Sequence, residues 1–425
     1  MHNIDSKLKN KIQKILKTRK QGVEFLFFNV AGNSFTLLLN FILPFAISAD
    51  TYGHFALVFA IFNFCAAIFT FGLDSTIIKF SIEKPHSAHV LKTSILAWSL
   101  LTLSGLFILG IFSLIVTRLD LLAITLPSLL IVILASAFIS LQRILLSYYV
   151  GIEKRKSYGG LFILNKSMQF VLILTAALYC EHKLFPKVLP YLLLIQSLLV
   201  FIYIILKEKN NLIINQPKKT EVFELIRFTL PLSLNTIGGI GYSYGFNIFI
   251  SPFLSLTQLG ILNIFTQFSS IASMTINALN NGYIPRFYRS FLERPKQAVI
   301  NYFRYIAINA VPILFLVLVV GIFYKYLSYK AIDDYNLLVL SIYCFGLLLY
   351  SFKAIGSGIL IMKGKTMTIS LTTVGTSIIN ILAAILFTSH FAFIGCIVSL
   401  SGGYIFQVLA FNFDSLKVFF QSKHV

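Results

Sequence analysis

The first long apolar stretch of the chain decides the fold: residues 25–47 read FLFFNVAGNSFTLLLNFILPFAI, with no charged side chain. A helix needs about 20 consecutive apolar residues to cross the hydrocarbon core of a bilayer. Further stretches of this kind follow when the sequence is cut at its polar clusters. The twelve predicted spans are residues 25–47, 55–80, 91–116, 121–142, 161–180, 188–206, 228–253, 259–281, 298–323, 335–362, 367–388 and 391–413. The pattern predicts an all-α polytopic membrane protein with twelve transmembrane helices.

The composition supports a chain that is surrounded by lipid. Of its 425 residues 57% are hydrophobic and only 12% are charged, and the mean hydropathy is +0.84. A soluble domain carries about 25% charged residues, so too little polar surface remains here to face water on all sides. The four cysteines are scattered without ligand spacing, and we interpret them as small core residues without a redox or zinc role (Cys65, Cys180, Cys344 and Cys396).

The positive charge of the chain follows its predicted topology. Lys and Arg outnumber Asp and Glu by 35 to 15, which gives a net charge of +20. With a cytoplasmic N-terminus, 29 of the 35 cations lie in inner segments and only 5 in outer loops. This asymmetry obeys the positive-inside rule, so both termini are predicted to be cytoplasmic. Because topology explains most of the charge, we expect no nucleic-acid partner. Residues 1–20 form a basic segment that is either an amphipathic helix on anionic lipid or a solvated tail.

The two halves of the chain overlay without gaps at an offset of 207 residues. Identical residues then coincide, namely Gly32 with Gly239, Asn40 with Asn247, Ser48 with Ser255 and Gly53 with Gly260. An offset of six spans keeps paired helices in the same direction, which predicts parallel repeats related by a pseudo-two-fold axis along the membrane normal. The predicted six-helix bundles are residues 21–206 and 225–413, with a cytoplasmic linker at 207–224 and a cytoplasmic tail at 414–425. Such halves can rock about a site at their interface, which is the plan of a transporter.

Cations inside the spans are the first candidates for a binding site. Ionisable residues in a membrane are costly and usually face a cavity or a partner. Arg143, Lys166 and Lys353, with Lys79, lie in the cytoplasmic half of their spans, where they could receive an anionic head group. Ammonium and guanidinium groups both suit phosphate oxygens. The alternative is structural: Arg143 would close the inner end of its span and snorkel to the interface, and Lys79 would pair with Asp74.

Amides and acids form a second group of candidates. The amides could donate to sugar hydroxyls or phosphate oxygens, or could join helices to one another (Asn29, Asn33, Asn235 and Asn281). Asp74 and Glu24 are candidates for a coupling-ion site or for structural pairs. The offset of 207 places Asn281 opposite Asp74. The second half has therefore not kept the acid, which argues against two equivalent ion sites.

Motifs for catalysis or ATP binding are not found. Residues 358–366 end in Gly-Lys-Thr, but the spacing departs by one residue from that of a phosphate-binding loop. His86 and His89 have no third ligand near them for zinc, and no catalytic constellation stands out in the loops. We therefore expect a transporter rather than an enzyme, without a cofactor or metal, driven by a proton or sodium gradient or by the substrate itself.

Several stretches resemble the O-antigen and polysaccharide flippases of the multidrug/oligosaccharidyl-lipid/polysaccharide (MOP) exporter superfamily. Residues 25–80, including Tyr52-Gly53 and Phe71-Gly72-Leu73-Asp74, resemble the start of that family. Residues 148–159, and residues 357–380 with Gly358, Lys363 and Asn380, resemble its fourth-to-fifth and tenth-to-eleventh helix junctions. The likeness extends over nearly the whole chain in length and in the number of spans.

The resemblance implies a flippase with a cationic central cavity. It would move an undecaprenyl-diphosphate-linked oligosaccharide from the cytoplasmic to the periplasmic leaflet of the bacterial inner membrane by alternating access. Arg143, Lys166 and Lys353 would engage the diphosphate. The expected partners are the lipid-linked substrate and the bilayer, with a polysaccharide polymerase and chain-length machinery as further candidates, and the expected state is a monomer.

Three other functions fit the sequence less well. A cation-coupled drug antiporter of the same superfamily would need deep acids to attract cations, whereas cations are in excess here. A flippase for a peptidoglycan precursor would carry two additional helices. A glycan polymerase or acyltransferase would show a large outer loop or a catalytic histidine, and His54, His182 and His390 are isolated.

Overall fold

The computed structural model describes most of the chain, and the statements below concern those residues alone. They are residues 24, 27–83, 88–119, 121–212, 217, 219–240, 245–264, 266, 287, 290–291, 293–328, 335–363 and 365–421.

The described residues form helices joined by short connections, and none of them lies in a strand. In chain order the helices are α1 (Phe27–Ala46), α2 (Ala49–Thr70), α3 (Leu73–Glu83), α4 (Ala88–Arg118), α5 (Leu126–Gly151), α6 (Arg155–Tyr179), α7 (Phe185–Leu212), α8 (Lys219–Ile240), α9 (Phe246–Ile250), α10 (256–264), α11 (Pro295–Ser328), α12 (Tyr335–Ser351), α13 (Lys353–Met362) and α14 (Thr366–Gln421).

Several predicted spans are interrupted helices. The second span is divided into α2 and α3 at Phe71 and Gly72, which both have positive φ angles. The tenth span is divided into α12 and α13 at Phe352. The two last spans both lie in α14, which has a non-helical residue, Ala392, at the start of the last span. The described part of the chain has eight helices that are long and apolar enough to cross a membrane, and one of them, Met367–Phe413, contains these last two spans.

The predicted inner end of the fourth span is wrong. α5 runs to Gly151 rather than ending near Gln142, because the residues after Arg143 (ILLSYYVG) are uncharged and continue the helix. Arg143 therefore lies about two turns inside the helix, at 3.6 residues per turn. It does not close the end of its span.

Each half of the chain has one helix that contacts most of the others. In the N-terminal bundle α5 packs against α2, α3, α4, α6 and α7. In the C-terminal bundle α14 packs against α8, α9, α12 and α13. Large apolar side chains on α4, such as Leu103 and Phe107, are mostly exposed, as expected of a surface that faces lipid rather than water.

Local structure supports the predicted duplication. The Ser48 hydroxyl caps α2 by accepting from the backbone N–H of Thr51 at 3.4 Å, and Ser255 caps α10 by accepting from that of Gln258 at 3.2 Å. Both pairs are related by the offset of 207 residues. Asn40 and Asn247, which are also related by that offset, are each buried. The second span of each half therefore begins with a serine that caps its helix.

The turn within α14 yields a first prediction, on stability. Ala392 has φ 49° and ψ −132°, a conformation that costs a residue with a side chain about 1–3 kcal/mol. A Cβ on Gly395 would lie 2.0 Å from the carbonyl oxygen of Phe387. We expect Ala392→Gly to raise, and Gly395→Ala to lower, the thermal unfolding temperature of the detergent-solubilised protein. Gly375→Ala is the control, because a Cβ there meets no atom within 4 Å; a drop in this control equal to that of Gly395→Ala would contradict the steric explanation.

Candidate functional site

Two of the predicted cations lie close together in the N-terminal bundle. Arg143 on α5 and Lys166 on α6 are both half-buried, and their positive charges are near enough to repel each other. Lys166 forms no hydrogen bond or ion pair with any residue in the described part of the chain. Two like charges at low dielectric raise the energy of the protein unless an anion lies beside them. The pair is therefore a strong candidate for an anion site.

Asn63 on α2 holds the guanidinium of Arg143. Its side-chain oxygen accepts from Arg143 Nη2 at 3.1 Å, and its own Nδ2 donates to the carbonyl oxygen of Phe59 at 2.9 Å. Because Asn63 Nδ2 donates to the backbone carbonyl of Phe59, the side-chain oxygen of Asn63 is the atom that points toward Arg143. Asn63 is 9% exposed. Asn63 was not predicted from the sequence, since a single polar residue in an apolar helix gives no sign of a partner 80 residues away.

Amide side chains hold the helices that carry the two cations. Gln142, next to Arg143, donates from Nε2 to the carbonyl oxygen of Leu161 on α6 at 3.3 Å. Asn165, next to Lys166, accepts from Gln196 of α7 at 2.6 Å. All of these amides are buried. The positions of α5 and α6 are thus fixed by bonds on both sides of the cation pair, which sets the separation of the two charges.

The cation pair lies well inside the helical bundle. Arg143 is about two turns from the end of α5 at Gly151, and Lys166 is about three turns from the start of α6 at Arg155. Both of these helix ends are predicted to face the cytoplasm. A head group that reached the pair would therefore have to leave the surface of the membrane and enter the protein.

Lys353 lies apart from the pair, in the C-terminal bundle, where neighbouring side chains contact its ammonium. Its Nζ donates to Gln407 Oε1 at 2.9 Å and lies 4.6 Å from the centre of the Phe411 ring and 5.2 Å from that of Tyr350. Nζ also donates to the Tyr350 hydroxyl at 3.4 Å, so two hydrogen bonds and two cation–π contacts stabilise this half-buried ammonium within one bundle. This geometry favours a structural role for Lys353.

The candidates on α1 join that helix to α6. Glu24 forms an ion pair with Arg155 at 2.8 Å, and Asn29 accepts a hydrogen bond from the Tyr158 hydroxyl at 2.8 Å. Below them Gly32 packs against the ring of Phe162. These contacts join two helices. They agree with the structural role that the sequence left open for Glu24 and Asn29.

The remaining candidates are less informative. Asn33 is half-buried on α1, and Asp74 is half-buried on α3. Lys79 lies in α3 and Asn235 in α8, but their side chains are outside the described structure, as is the whole of Asn281. Among the described residues, no group of three or more His, Cys, Asp or Glu could hold a metal ion.

The bundles also contact each other at the end predicted to face the cytoplasm. α8 packs there on α3 and α4 of the N-terminal bundle. The Thr229 hydroxyl donates to that of Thr76 at 3.0 Å, and Phe80 meets Phe228 edge to face. Near the helix ends His89 contacts Glu221 at 2.6 Å. The first helix of the second bundle thus packs on the first bundle as well as on its own.

A second prediction separates the roles of the deep cations. Lys353→Met should lower the thermal unfolding temperature, because the variant loses the bond to Gln407 and the contacts with the rings of Tyr350 and Phe411. Lys166→Met, which removes a charge repelled by Arg143, should leave that temperature unchanged or raise it. Thermal unfolding of both purified variants provides the measurement. A larger loss of stability for Lys166→Met would contradict these assignments.

The fold defines a multi-pass membrane protein built from two six-helix bundles. A family model described as "Polysaccharide biosynthesis protein" matches residues 23–291, more than half of the chain. The chain belongs to this polysaccharide biosynthesis protein family. No curated protein sequence matches it.

Solved structures agree on the fold. An inward-facing multidrug resistance MATE family transporter of the MOP superfamily has a TM-score of 0.65 at 12% identity, over 92% of this chain and 96% of that one. The MATE multidrug transporter DinF-BH has a TM-score of 0.64 at 13% identity, over 95% and 94%. The lipid II flippase MurJ, in an inward closed conformation, has a TM-score of 0.60 at 17% identity, over 92% and 87%. These likenesses confirm the predicted fold of twelve transmembrane helices in two bundles.

Proposed function

We propose that the protein is a flippase for a lipid-linked oligosaccharide, and that Arg143 and Lys166 bind the diphosphate of its polyprenyl carrier. The substrate would move from the cytoplasmic to the periplasmic leaflet of the inner membrane by alternating access. The observation that carries the proposal is the juxtaposition of these two cations within the helical bundle. A diphosphate would replace their mutual repulsion with charge-assisted hydrogen bonds.

The shape of the two side chains suits a diphosphate better than a single carboxylate. Arg143 presents a planar fork whose orientation Asn63 fixes, and Lys166 presents a point charge on a flexible stem. The fork can bind two oxygens of one phosphoryl group while the ammonium contacts the next. The membership of the chain in a polysaccharide biosynthesis family, and its likeness to the lipid II flippase MurJ, support a lipid-linked glycan as the cargo.

The proposal is tested by reconstitution. Purified protein in liposomes should move a polyprenyl-diphosphate carrying a labelled oligosaccharide between leaflets, as measured by protection of the glycan from a membrane-impermeant glycosidase. Protein-free liposomes give the background rate. A rate equal to that background, with protein whose helical content and thermal unfolding are normal, would refute the flippase function. A comparison of polyprenyl diphosphate with polyprenyl monophosphate as competitors would test the diphosphate directly, and we expect the diphosphate to inhibit more strongly.

A drug antiporter is the second candidate, because two of the solved structures with this fold are multidrug transporters. That function would need an acid to bind or exchange cations, and the acids predicted from the sequence are Asp74 on α3 and Glu24, of which Glu24 forms an ion pair with Arg155. Proton-driven uptake of a cationic dye that is lost in Asp74→Asn would favour this alternative. We expect no dye uptake above the level of protein-free liposomes.

A further inference from the structure

Helix α1 passes over the part of α6 that carries Lys166. Gly32 of α1 packs against the ring of Phe162, and the ring centres of Phe35 and Phe170 are 5.8 Å apart. Because the residue numbers of both helices rise together in these contacts, the two helices run in the same direction. Lys166 lies between the two α6 rings in sequence. The turn of α1 that begins at Gly32 is therefore level with this cation.

Two polar side chains on this side of α1 have buried atoms without a partner. Thr36 and Asn40 follow Gly32 by one and two turns, so they lie on the same side of the helix. Thr36 Oγ1 is buried, as are both amide atoms of Asn40, which is 6% exposed. None of these three atoms forms a hydrogen bond with a described residue. Buried polar atoms are nearly always paired, because leaving them unpaired is costly.

The helix itself offers a partner that these two side chains do not use. A Ser, Thr or Asn side chain in a helix can donate to the backbone carbonyl one turn earlier. Ser34 of α1 and Asn63 of α2 both do so, at 2.8 and 2.9 Å. Thr36 and Asn40 do not form this bond. Their polar atoms therefore stay available to a ligand inside the bundle.

The unpaired atoms define the chemistry of that ligand. Asn40 Oδ1 only accepts hydrogen bonds, Nδ2 only donates them, and the Thr36 hydroxyl can do either. A phosphate group offers acceptors alone and would leave Oδ1 unpaired. A metal cation would leave Nδ2 unpaired and would be repelled by the charge of Lys166. The hydroxyl and acetamido groups of a sugar offer donors and acceptors together, so they match all three atoms.

These atoms also lie where the first sugar of the cargo would be. Thr36 belongs to the turn that is level with Lys166, and Asn40 lies about 6 Å further toward the end predicted to be periplasmic, at about 1.5 Å per residue. A sugar bonded to the diphosphate directly adjoins the group that the cations would bind. We propose that Thr36 and Asn40 form a subsite for the first sugar of the lipid-linked glycan, which they bind through its hydroxyl or acetamido groups. This inference rests on the proposed flippase function and its diphosphate site.

The subsite is tested by the binding of two probes to the purified protein, measured by the thermal shift that each one causes. The first probe is undecaprenyl diphosphate, and the second is the undecaprenyl-diphosphate-linked oligosaccharide extracted from cells that make the protein. The parent should bind the second probe about tenfold more tightly, as expected from two neutral hydrogen bonds. Thr36→Val and Asn40→Leu should each reduce this advantage to about threefold or less, because each removes part of the set. Neither should change the affinity for undecaprenyl diphosphate.

The stability of the unliganded variants separates binding from a structural role. Both substitutions replace unpaired polar atoms with apolar ones of similar shape, so the thermal unfolding temperature should stay the same or rise. A structural role would instead lower that temperature in both variants, which would refute the subsite. Ser34→Ala is the matched control on the same helix, because the Ser34 hydroxyl already donates to the carbonyl oxygen of Val30. It should keep the full advantage of the oligosaccharide probe.

The two probes distinguish failure of the subsite from failure of the flippase proposal. A parent protein that does not bind undecaprenyl diphosphate would refute the diphosphate site itself. A parent that binds both probes equally, or variants that keep the full advantage of the oligosaccharide, would refute the sugar subsite alone; the atoms would then be satisfied by water. Lys166→Met should weaken the binding of both probes to a similar extent, because it removes a contact with the part that they share.

Discussion

Lys166→Met and Arg143→Gln should each reduce the flipping of a polyprenyl-diphosphate-linked oligosaccharide by about 10- to 100-fold in reconstituted liposomes. A hydrogen bond to a charged group contributes about 1.5–3 kcal/mol, and about 1.4 kcal/mol corresponds to a factor of ten in a rate or a binding constant. Each variant removes at least one such bond to the diphosphate. Neither should reduce thermal stability by a comparable amount, because each also removes one member of a repelling pair.

Conservative variants distinguish charge from geometry at the same two positions. Arg143→Lys keeps the charge but loses the planar fork that Asn63 orients, so its rate should fall between those of the native protein and Arg143→Gln. Lys166→Arg should retain more activity than Lys166→Met, because Lys166 has no fixed hydrogen-bond partner among the described residues. The double variant should be little slower than the slower single variant, since the two cations bind one ligand.

Lys187 provides the control for a general effect of charge. It lies exposed near the start of α7, far along that helix from the end predicted to be cytoplasmic. Lys187→Met should flip the substrate at the native rate. Full activity in both Lys166→Met and Arg143→Gln would refute the diphosphate site, although the flippase function itself would survive. Loss of activity in Lys187→Met as well would indicate that the assay responds to net charge rather than to the site.

The architecture could be predicted from sequence because it depends on patterns that extend over many residues. Twenty consecutive apolar positions define a span whatever their order, and the offset of 207 brings Gly53 onto Gly260 without any knowledge of their contacts. The breaks at Phe71 and Ala392 were not predicted, since neither residue type marks a positive φ angle. The depth of Arg143 was misjudged for a related reason: a charge was taken as the end of a span, whereas the uncharged residues that follow it continue the helix.

The site was predictable only in part because partners in a bundle are distant in sequence. Arg143 and Lys166 were selected as intramembrane charges, but nothing in the sequence indicates that they meet each other rather than Lys353. Lys353 was placed in the same group, yet its ammonium contacts Gln407, 54 residues further along the chain. Composition can locate a buried charge, whereas its role depends on which helices are neighbours.

Asn63→Asp should abolish flipping to about the same extent as the loss of Arg143, while raising the thermal unfolding temperature. The substitution is nearly isosteric, and it replaces an amide oxygen 3.1 Å from Arg143 Nη2 with a carboxylate oxygen. The new carboxylate would neutralise the cation that otherwise attracts the diphosphate, and it would repel the diphosphate itself. The same charge should stabilise the unliganded protein, since an anion beside Arg143 and Lys166 relieves their repulsion.

Opposite changes in stability and transport are the distinguishing feature of this prediction. A merely structural role for Asn63 would make Asn63→Asp either neutral in both measurements or destabilising, because the carboxylate can no longer donate to the carbonyl oxygen of Phe59. Asn63→Ala removes the hydrogen bond that orients Arg143 without adding a negative charge, so its flipping rate should fall less than that of Asn63→Asp. Asn301→Asp is the matched control, because Asn301 is exposed on α11, and it should change neither quantity. An active and more stable Asn63→Asp would mean that the positive charge of Arg143 contributes nothing to substrate binding.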